Sequence, residues 1–303
     1  MTSPPKKKRW RKRLMLIKAG VFLLVVVGVS TLIPDLWHHG TLDAYEEVDL
    51  EHLLECVNRA RSSYHEPQSI RDEFGIHIEV ADFPASGLRV VIDREPAEDG
   101  RQWVVLRGTT NLPNVFADLD FIERDDHELG IHVHRGFDTA MRECLPWVHG
   151  RLDPDRPTCI TGHSLGGSVG ILLAIILEHR GFKDVSTVTF GQPKLTDSHG
   201  AEILEDFDVV RVVFDDDPIP LVPPLAIEGQ HANIYHHFGA EIILKENGHF
   251  FYADAHDPGR LDVREFWSNL THIHPTSHLL GESYIPALEI AAKRDGHSSG
   301  KKP

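Results

Sequence analysis

The sequence predicts an α/β protein: a mostly parallel sheet with helices over both faces. Three observations point there. Short β-type runs alternate with helical runs along most of the chain, and a parallel sheet with crossover helices accommodates that alternation. The β run Thr158–Thr161 passes through only Gly162-His163-Ser164 before a long apolar helical run, Leu165–His179. A composition of 41% hydrophobic and 25% charged residues is that of a globular chain, which excludes a disordered one.

The chain begins with a segment of a different kind. Residues 1–34 hold eight basic residues and no acidic one, so the net charge of −15 divides into a basic head and a body of −23 over residues 35–303. A body so acidic excludes general nucleic-acid binding, because phosphate contacts need a positive field. Residues 1–13 read as a basic cytoplasmic head and residues 14–34 as a transmembrane signal-anchor helix. The run Leu14–Ile33 is apolar apart from Lys18, and about 20 helical residues cross a bilayer core. By the positive-inside rule the head stays in the cytoplasm and the body lies on the far side, periplasmic, lumenal or extracellular. A cleaved signal peptide with Gly28 or Ser30 near the cut, hence a secreted body, is the competing reading. A nuclear signal in KKKRWRKR is set aside because an apolar span follows it directly.

In the body, residues 42–61 form an amphipathic helix, with Leu50, Leu53, Leu54, Val57 and Ala60 at helical spacing. Leu88–Ile92 and Trp103–Leu106 pair as strands around the turn Glu95–Gly100. Ser186–Phe190 and Val209–Phe214 are further strands. Glu123–Glu128 reads as a solvated loop, and residues 293–303 as a flexible polar tail. Three cysteines, Cys56, Cys144 and Cys159, are too few for a disulfide framework. They read as small buried hydrophobes, Cys159 as inert in its strand, with one bridge open to an exported body.

Gly162-His163-Ser164-Leu165-Gly166 fits G-x-S-x-G between a strand and a helix. A sharp turn there lifts a serine above the carboxyl edge of the sheet, and the glycines leave room for the turn. A serine hydroxyl needs a base within hydrogen-bond reach. In this context the partners follow in the order Ser, Asp or Glu, His. Strand Val209–Phe214 runs into Asp215-Asp216-Asp217, and spacing alone leaves open which of the three serves. Residues 231–278 hold eight histidines. Their spacings match no zinc signature, so neither metal nor other cofactor is expected.

Six motifs in order resemble the class 3 lipases, which are α/β-hydrolases. Leu106-Arg107-Gly108-Thr109 is similar to F-R-G-[ST], and Asn111–Leu119 to N-W-x-x-D-[IL]. Val133–Phe137 resembles V-H-x-G-F. Gly162–Gly167 carries the full G-H-S-L-G-G. Phe190-Gly191-Gln192-Pro193 resembles F-G-x-P, and Asp217–Pro220 D-x-V-P. The resemblance runs from about Trp103 to Tyr284. It implies an α/β-hydrolase catalytic domain over residues 35–292. It implies catalytic Ser164, Asp217 and His278, with His272 and His274 as the weaker alternatives for the base. His134 falls on a structural position. Backbone N–H groups of Thr109 and Leu165 would form the oxyanion hole. Residues 111–122, apolar at Leu112, Val115, Phe116, Leu119 and Ile122, would form either a moving lid or a short packed helix.

The expected function is therefore hydrolysis of lipid esters: triacylglycerol, monoacylglycerol or phospholipid. The expected partners are a lipid ester substrate and the membrane, through the N-terminal helix; no protein partner is expected. A carboxylesterase for small soluble esters is the first alternative. A non-catalytic scaffold of the same fold is the second.

Overall fold

The computed structural model describes residues 48–75, 77–97, 100–109, 122–223, 225–228, 231–253 and 276–299. Residues 1–34 and most of the expected lid segment lie outside them. Among the described residues no helix is long and apolar enough to cross a membrane.

Eight strands form the main sheet, in the order β1-β2-β3-β6-β7-β9-β12-β13. Its centre is parallel: β3 (Gln102–Arg107), β6 (Thr158–His163), β7 (Val185–Phe190), β9 (Val209–Phe214) and β12 (Ala240–Leu244). Antiparallel β1 (Glu79–Phe83) and β2 (Leu88–Arg94) close one edge, and β13 (Phe250–Ala253) the other. The central strands read as continuous β-branched and aliphatic runs because both of their faces are covered. Along β3, Trp103 and Val105 join a core cluster with helices α1 (Leu50–Ser62) and α6 (Ile285–Ser299). Helices α3 (Arg135–His149) and α4 (Leu165–His179) pack together, and α4 lies against β3, β6 and β7. Helix α4 is buried from Gly166 to Leu177, as a helix apolar on all sides must be.

Helix α1 starts at Leu50, capped by the Asp49 side chain accepting from His52 N–H at 2.9 Å. Its buried face is Leu50, Leu53, Cys56, Val57 and Ala60. Each fully buried leucine on it contributes about 1.5–3 kcal/mol. Helix α2 (Pro67–Phe74) follows.

A second, antiparallel sheet has the order β10-β11-β8-β5-β4: Leu225–Glu228, His231–His236, Thr196–Asp197, Ile131–His134 and Glu123–Asp126. The short helix α5 (Ser198–Ile203) leaves β8. Two expectations are corrected here. The acidic stretch from Glu123 opens with strand β4, and Glu123 and Asp126 are buried. The buried Asp126 is paired rather than solvated: Arg142 reaches Asp126 and Asp138 at 2.6 and 2.7 Å, and Arg124 reaches Asp138 at 2.6 Å. At the carboxyl end, α6 continues to Ser299, inside the segment expected as a polar tail.

Candidate active site

Strand β6 delivers the chain into the turn at Ser164. This residue has φ 58° and ψ −132°, the sole positive φ outside glycine among the described residues. Such backbone costs about 1–3 kcal/mol and persists only where the surroundings over-determine it. The surroundings here are tight. A Cβ on Gly162 would stand 2.5 Å from the Gly166 carbonyl oxygen, and one on Gly166 would overlap the Leu106 carbonyl. The same carboxyl end of β3 is pressed against the elbow by the residue that follows it: a Cβ on Gly108 would meet His163 O at 2.6 Å and Ser164 Cβ at 3.0 Å. Thr109 thus leaves β3 beside the elbow, and Leu165 opens α4 directly after the serine. The first N–H groups of a helix have no intrahelical partner and lie at the positive end of its dipole.

The acid and the histidine come from the next strands. Asp217 follows β9 and is buried, whereas its neighbour Asp215 pairs with Lys245 at 2.6 Å at the surface. The three aspartates left open by spacing are therefore distinguished by burial. Asp217 Oδ1 accepts the Ile219 N–H at 2.9 Å. Its Oδ2 accepts His278 Nδ1 at 2.7 Å and the Tyr284 hydroxyl at 2.5 Å. A carboxylate only accepts, so His278 carries its proton on Nδ1 and presents Nε2 as a base. Ser164 Oγ and His278 Nε2 are both buried, and neither makes a hydrogen bond among the described residues. His272 and His274 lie outside the described residues.

The structure assigns contacts that the motifs do not disclose, some of them to residues within the motifs. Gly191, at φ 55°, lets the Asp217 pocket close: a Cβ there would stand 2.6 Å from Asp217 Oδ2, 2.7 Å from the Tyr284 hydroxyl and 3.0 Å from His278 Cε1. Burial, and after it the Asp217 charge, pushes the Tyr284 phenol well above its ordinary range, so it keeps the proton it donates. His163 lies between two partners. Its Nε2 is 2.8 Å from the His278 carbonyl oxygen and its Nδ1 is 2.7 Å from the Tyr64 hydroxyl. The carbonyl demands an N–H, which fixes the proton on Nε2, and Tyr64 donates to Nδ1. Burial, and after it the neighbouring His278, holds His163 well below the usual histidine range. Burial also raises the Tyr64 phenol. His237 makes a similar strut: its Nδ1 is 2.9 Å from Gln192 Nε2 and its Nε2 is 2.6 Å from the Pro220 carbonyl. His134 caps α3, accepting from Gly136 N–H at 3.2 Å.

The chain is similar to known lipases in sequence and in fold. Residues 103–227 match the family model for lipase (class 3). Secreted mono- and diacylglycerol lipase 1 of Fusarium solani is 29% identical over 139 residues, 43% of this chain and 41% of that protein. A lipase of Rhizomucor miehei is 29% identical over 143 residues, 43% of this chain and 39% of that protein. Phospholipase A1 PLIP2 of Arabidopsis thaliana is 33% identical over 103 residues, 30% of this chain and 14% of that protein. The chain thus spans about two fifths, or less, of the length of these curated relatives. Among solved structures, a triacylglycerol lipase whose catalytic centre is a serine protease triad superposes with a TM-score of 0.65 at 21% identity, over 81% of this chain and 99% of that one. Lipase II from Rhizopus niveus gives 0.64 at 20% identity, over 78% and 95%. The fold shared with these structures is the α/β-hydrolase fold, and residues 103–227 are similar to the class 3 lipase family.

Proposed function

We propose that this chain is a serine acyl-ester hydrolase acting on lipid esters through Ser164, Asp217 and His278. One observation carries the reading. A strained, buried serine at a strand–helix elbow directly follows His163, whose ring lies 4.4 Å from that of His278 in a buried His–Asp pair, and the two reactive atoms, Ser164 Oγ and His278 Nε2, make no hydrogen bond among the described residues. In the proposed reaction His278 Nε2 takes the proton as Ser164 Oγ attacks the ester carbonyl. Asp217 holds the Nδ1–H and stabilises the imidazolium. The N–H groups of Thr109 and Leu165 receive the oxyanion, a contribution of about 100- to 1,000-fold in rate per donor. His278 then protonates the leaving alcohol, and water releases the acyl group.

The names of the relatives support the substrate class, since they include a mono- and diacylglycerol lipase and a phospholipase A1. Triacylglycerol, monoacylglycerol and the sn-1 ester of a phospholipid are the proposed substrates. Residues 35–292 form the proposed catalytic domain. Residues 14–34 are proposed to carry it across a membrane, as an anchor or as a cleaved signal; the apolar run Leu14–Ile33 supports export in either case.

Two measurements test the reading. A fluorophosphonate probe should label the full chain, and Ser164→Ala should abolish the labelling. Failure to label a folded wild-type protein would remove the enzyme reading. A chain-length series of esters should then show a preference for long acyl chains. A preference confined to short, soluble esters would move the assignment to a carboxylesterase.

A further inference from the structure

We propose that His52, Cys56 and Cys159 form a binding site for a soft divalent cation of tetrahedral preference, zinc foremost, on the sheet face covered by α1. Nothing in the spacing of these residues along the chain announces it, because the site joins a helix to a strand about 100 residues away.

The side-chain geometry is that of a ligand set. His52 and Cys56 stand four apart on α1, hence on one face of the helix. Cys159 faces them from β6. His52 Nε2 lies 3.6 Å from Cys56 Sγ and 3.9 Å from Cys159 Sγ. All three ligand atoms fall within 4.8 Å of one another. A tetrahedral zinc with Zn–S of about 2.3 Å and Zn–N of about 2.0 Å places its S and N ligands about 3.5 Å apart. The observed separations lie within a few tenths of an ångström of that edge. A cation could enter with only small side-chain adjustments.

Charge and chemistry agree with a divalent ion. Two thiolates, a neutral imidazole and M²⁺ sum to zero. That balance suits a site whose two cysteines are fully buried, since an unbalanced charge there would be poorly solvated. Thiolate and imidazole ligands disfavour magnesium and calcium and favour zinc. Cuprous copper would leave a net negative charge in the core. His52 is half-buried, so the fourth coordination position and the route of entry lie on its side. On binding, the two thiols release their protons to solvent.

Such an ion would act as a clip. It ties α1 to β6 five residues before Ser164, and α1 leads directly to Tyr64, which holds His163 behind the elbow. The site is structural and touches none of the proposed reacting groups, so its test does not depend on esterase activity.

The test uses the full chain, purified with its thiols reduced. Co²⁺ should bind at about one equivalent, with sulfur-to-cobalt charge-transfer absorption and the visible bands of a tetrahedral ion. Zn²⁺ should displace it and raise the Tm. His52→Gln should weaken Zn²⁺ binding by about 100-fold or more. Cys159→Ser should lower the charge-transfer band by at least half, since only the Cys56 thiolate remains, and Cys144→Ser should keep it whole, since Cys144 lies in α3 with its thiol on the Met141 carbonyl. His52 is half-exposed, so His52→Gln remains informative if the buried cysteine variant fails to fold. Absence of a charge-transfer band in the folded, reduced chain would overturn the proposal. So would an unchanged metal affinity in His52→Gln, or isolation of the protein with Cys56 and Cys159 already joined as a disulfide that resists mild reduction.

Discussion

Asp217 gathers three hydrogen bonds on two oxygens, and each donor does a different job. The Ile219 N–H fixes the carboxylate to its own turn, the His278 Nδ1–H fixes the imidazole proposed as the base, and the Tyr284 hydroxyl fills the remaining approach to Oδ2. Hydrogen bonds to a charged group contribute about 1.5–3 kcal/mol. Tyr284→Phe should therefore lower kcat by roughly ten- to 100-fold, with a smaller change in KM, because the carboxylate loses a restraint on its position while the acyl site is untouched. Esterase kinetics on the purified variant checks this; an unchanged kcat would show that Ile219 and His278 suffice. Residues of this kind mark the limit of what the chain discloses on reading. Ser164 was legible because its strand, turn and helix are contiguous in sequence. Among the three aspartates, burial of Asp217 is a three-dimensional fact that only a motif resemblance anticipated. The Tyr64–His163 bond was not legible, since its partners are 99 residues apart and only His163 stands in a motif, one that says nothing of its partner.

At the scale of elements, the elbow is a meeting of β3, β6 and α4 closer than side chains allow. Gly166 lies where a Cβ would overlap the Leu106 carbonyl on the neighbouring strand. Backbone cannot yield there without separating α4 from β3. Gly166→Ala should cost about 3 kcal/mol, the upper end for overpacking, measured as a lowered urea midpoint with unchanged m-value. Gly191→Ala should behave differently. Its Cβ would press on the Asp217 carboxylate and the His278 ring, so activity should fall by more than stability does. Equal losses in the two assays would mean that the loop, rather than the pair it touches, absorbs the change. The elements that sequence reading recovered are the ones with strong periodicity or long apolar runs: α1, α4 and the strands β2, β3, β6, β7 and β9. Helices α3 and α6 were passed over too, but several of the missed strands are short or polar. Strand β8 has two residues, β1 reads Glu-Val-Ala-Asp-Phe, and β4 reads Glu-Arg-Asp-Asp. Such strands are held by distant partners. For β4 these are Arg142 and Asp138 of α3, which pair with Asp126 and Arg124 and hold a partly buried strand where a solvated loop was expected.

For the whole molecule, pH acts through two opposed effects, and one buried histidine separates them. The body carries a large net negative charge, so mild acid relieves self-repulsion and favours the folded state. His163 works the other way. Burial holds it neutral in the native protein, with both ring nitrogens engaged, while an unfolded chain titrates it near 6.5. As pH falls below about 6.5, the unfolded state takes up a proton that the native state refuses. Stability is then lost progressively down to the depressed native value, at up to about 1.4 kcal/mol per pH unit. His237 is lowered by burial in the same direction but is partly exposed, so its share is smaller. Replacing His163 by glutamine removes the titration while leaving the global charge at neutral pH unchanged. His163→Gln should therefore be less stable than wild type at pH 7, where its hydrogen bonds to Tyr64 and the His278 carbonyl are disturbed. The gap between the two proteins should narrow steadily from pH 6.5 to pH 5. Urea unfolding of both at several pH values and two salt concentrations tests this, because the net-charge effect is common to both and weakens with salt, whereas the difference between them is set by a buried group and does not. A gap that stays constant with pH would mean that the native fold admits a proton to His163, and that the strut behind His278 tolerates a charged imidazole.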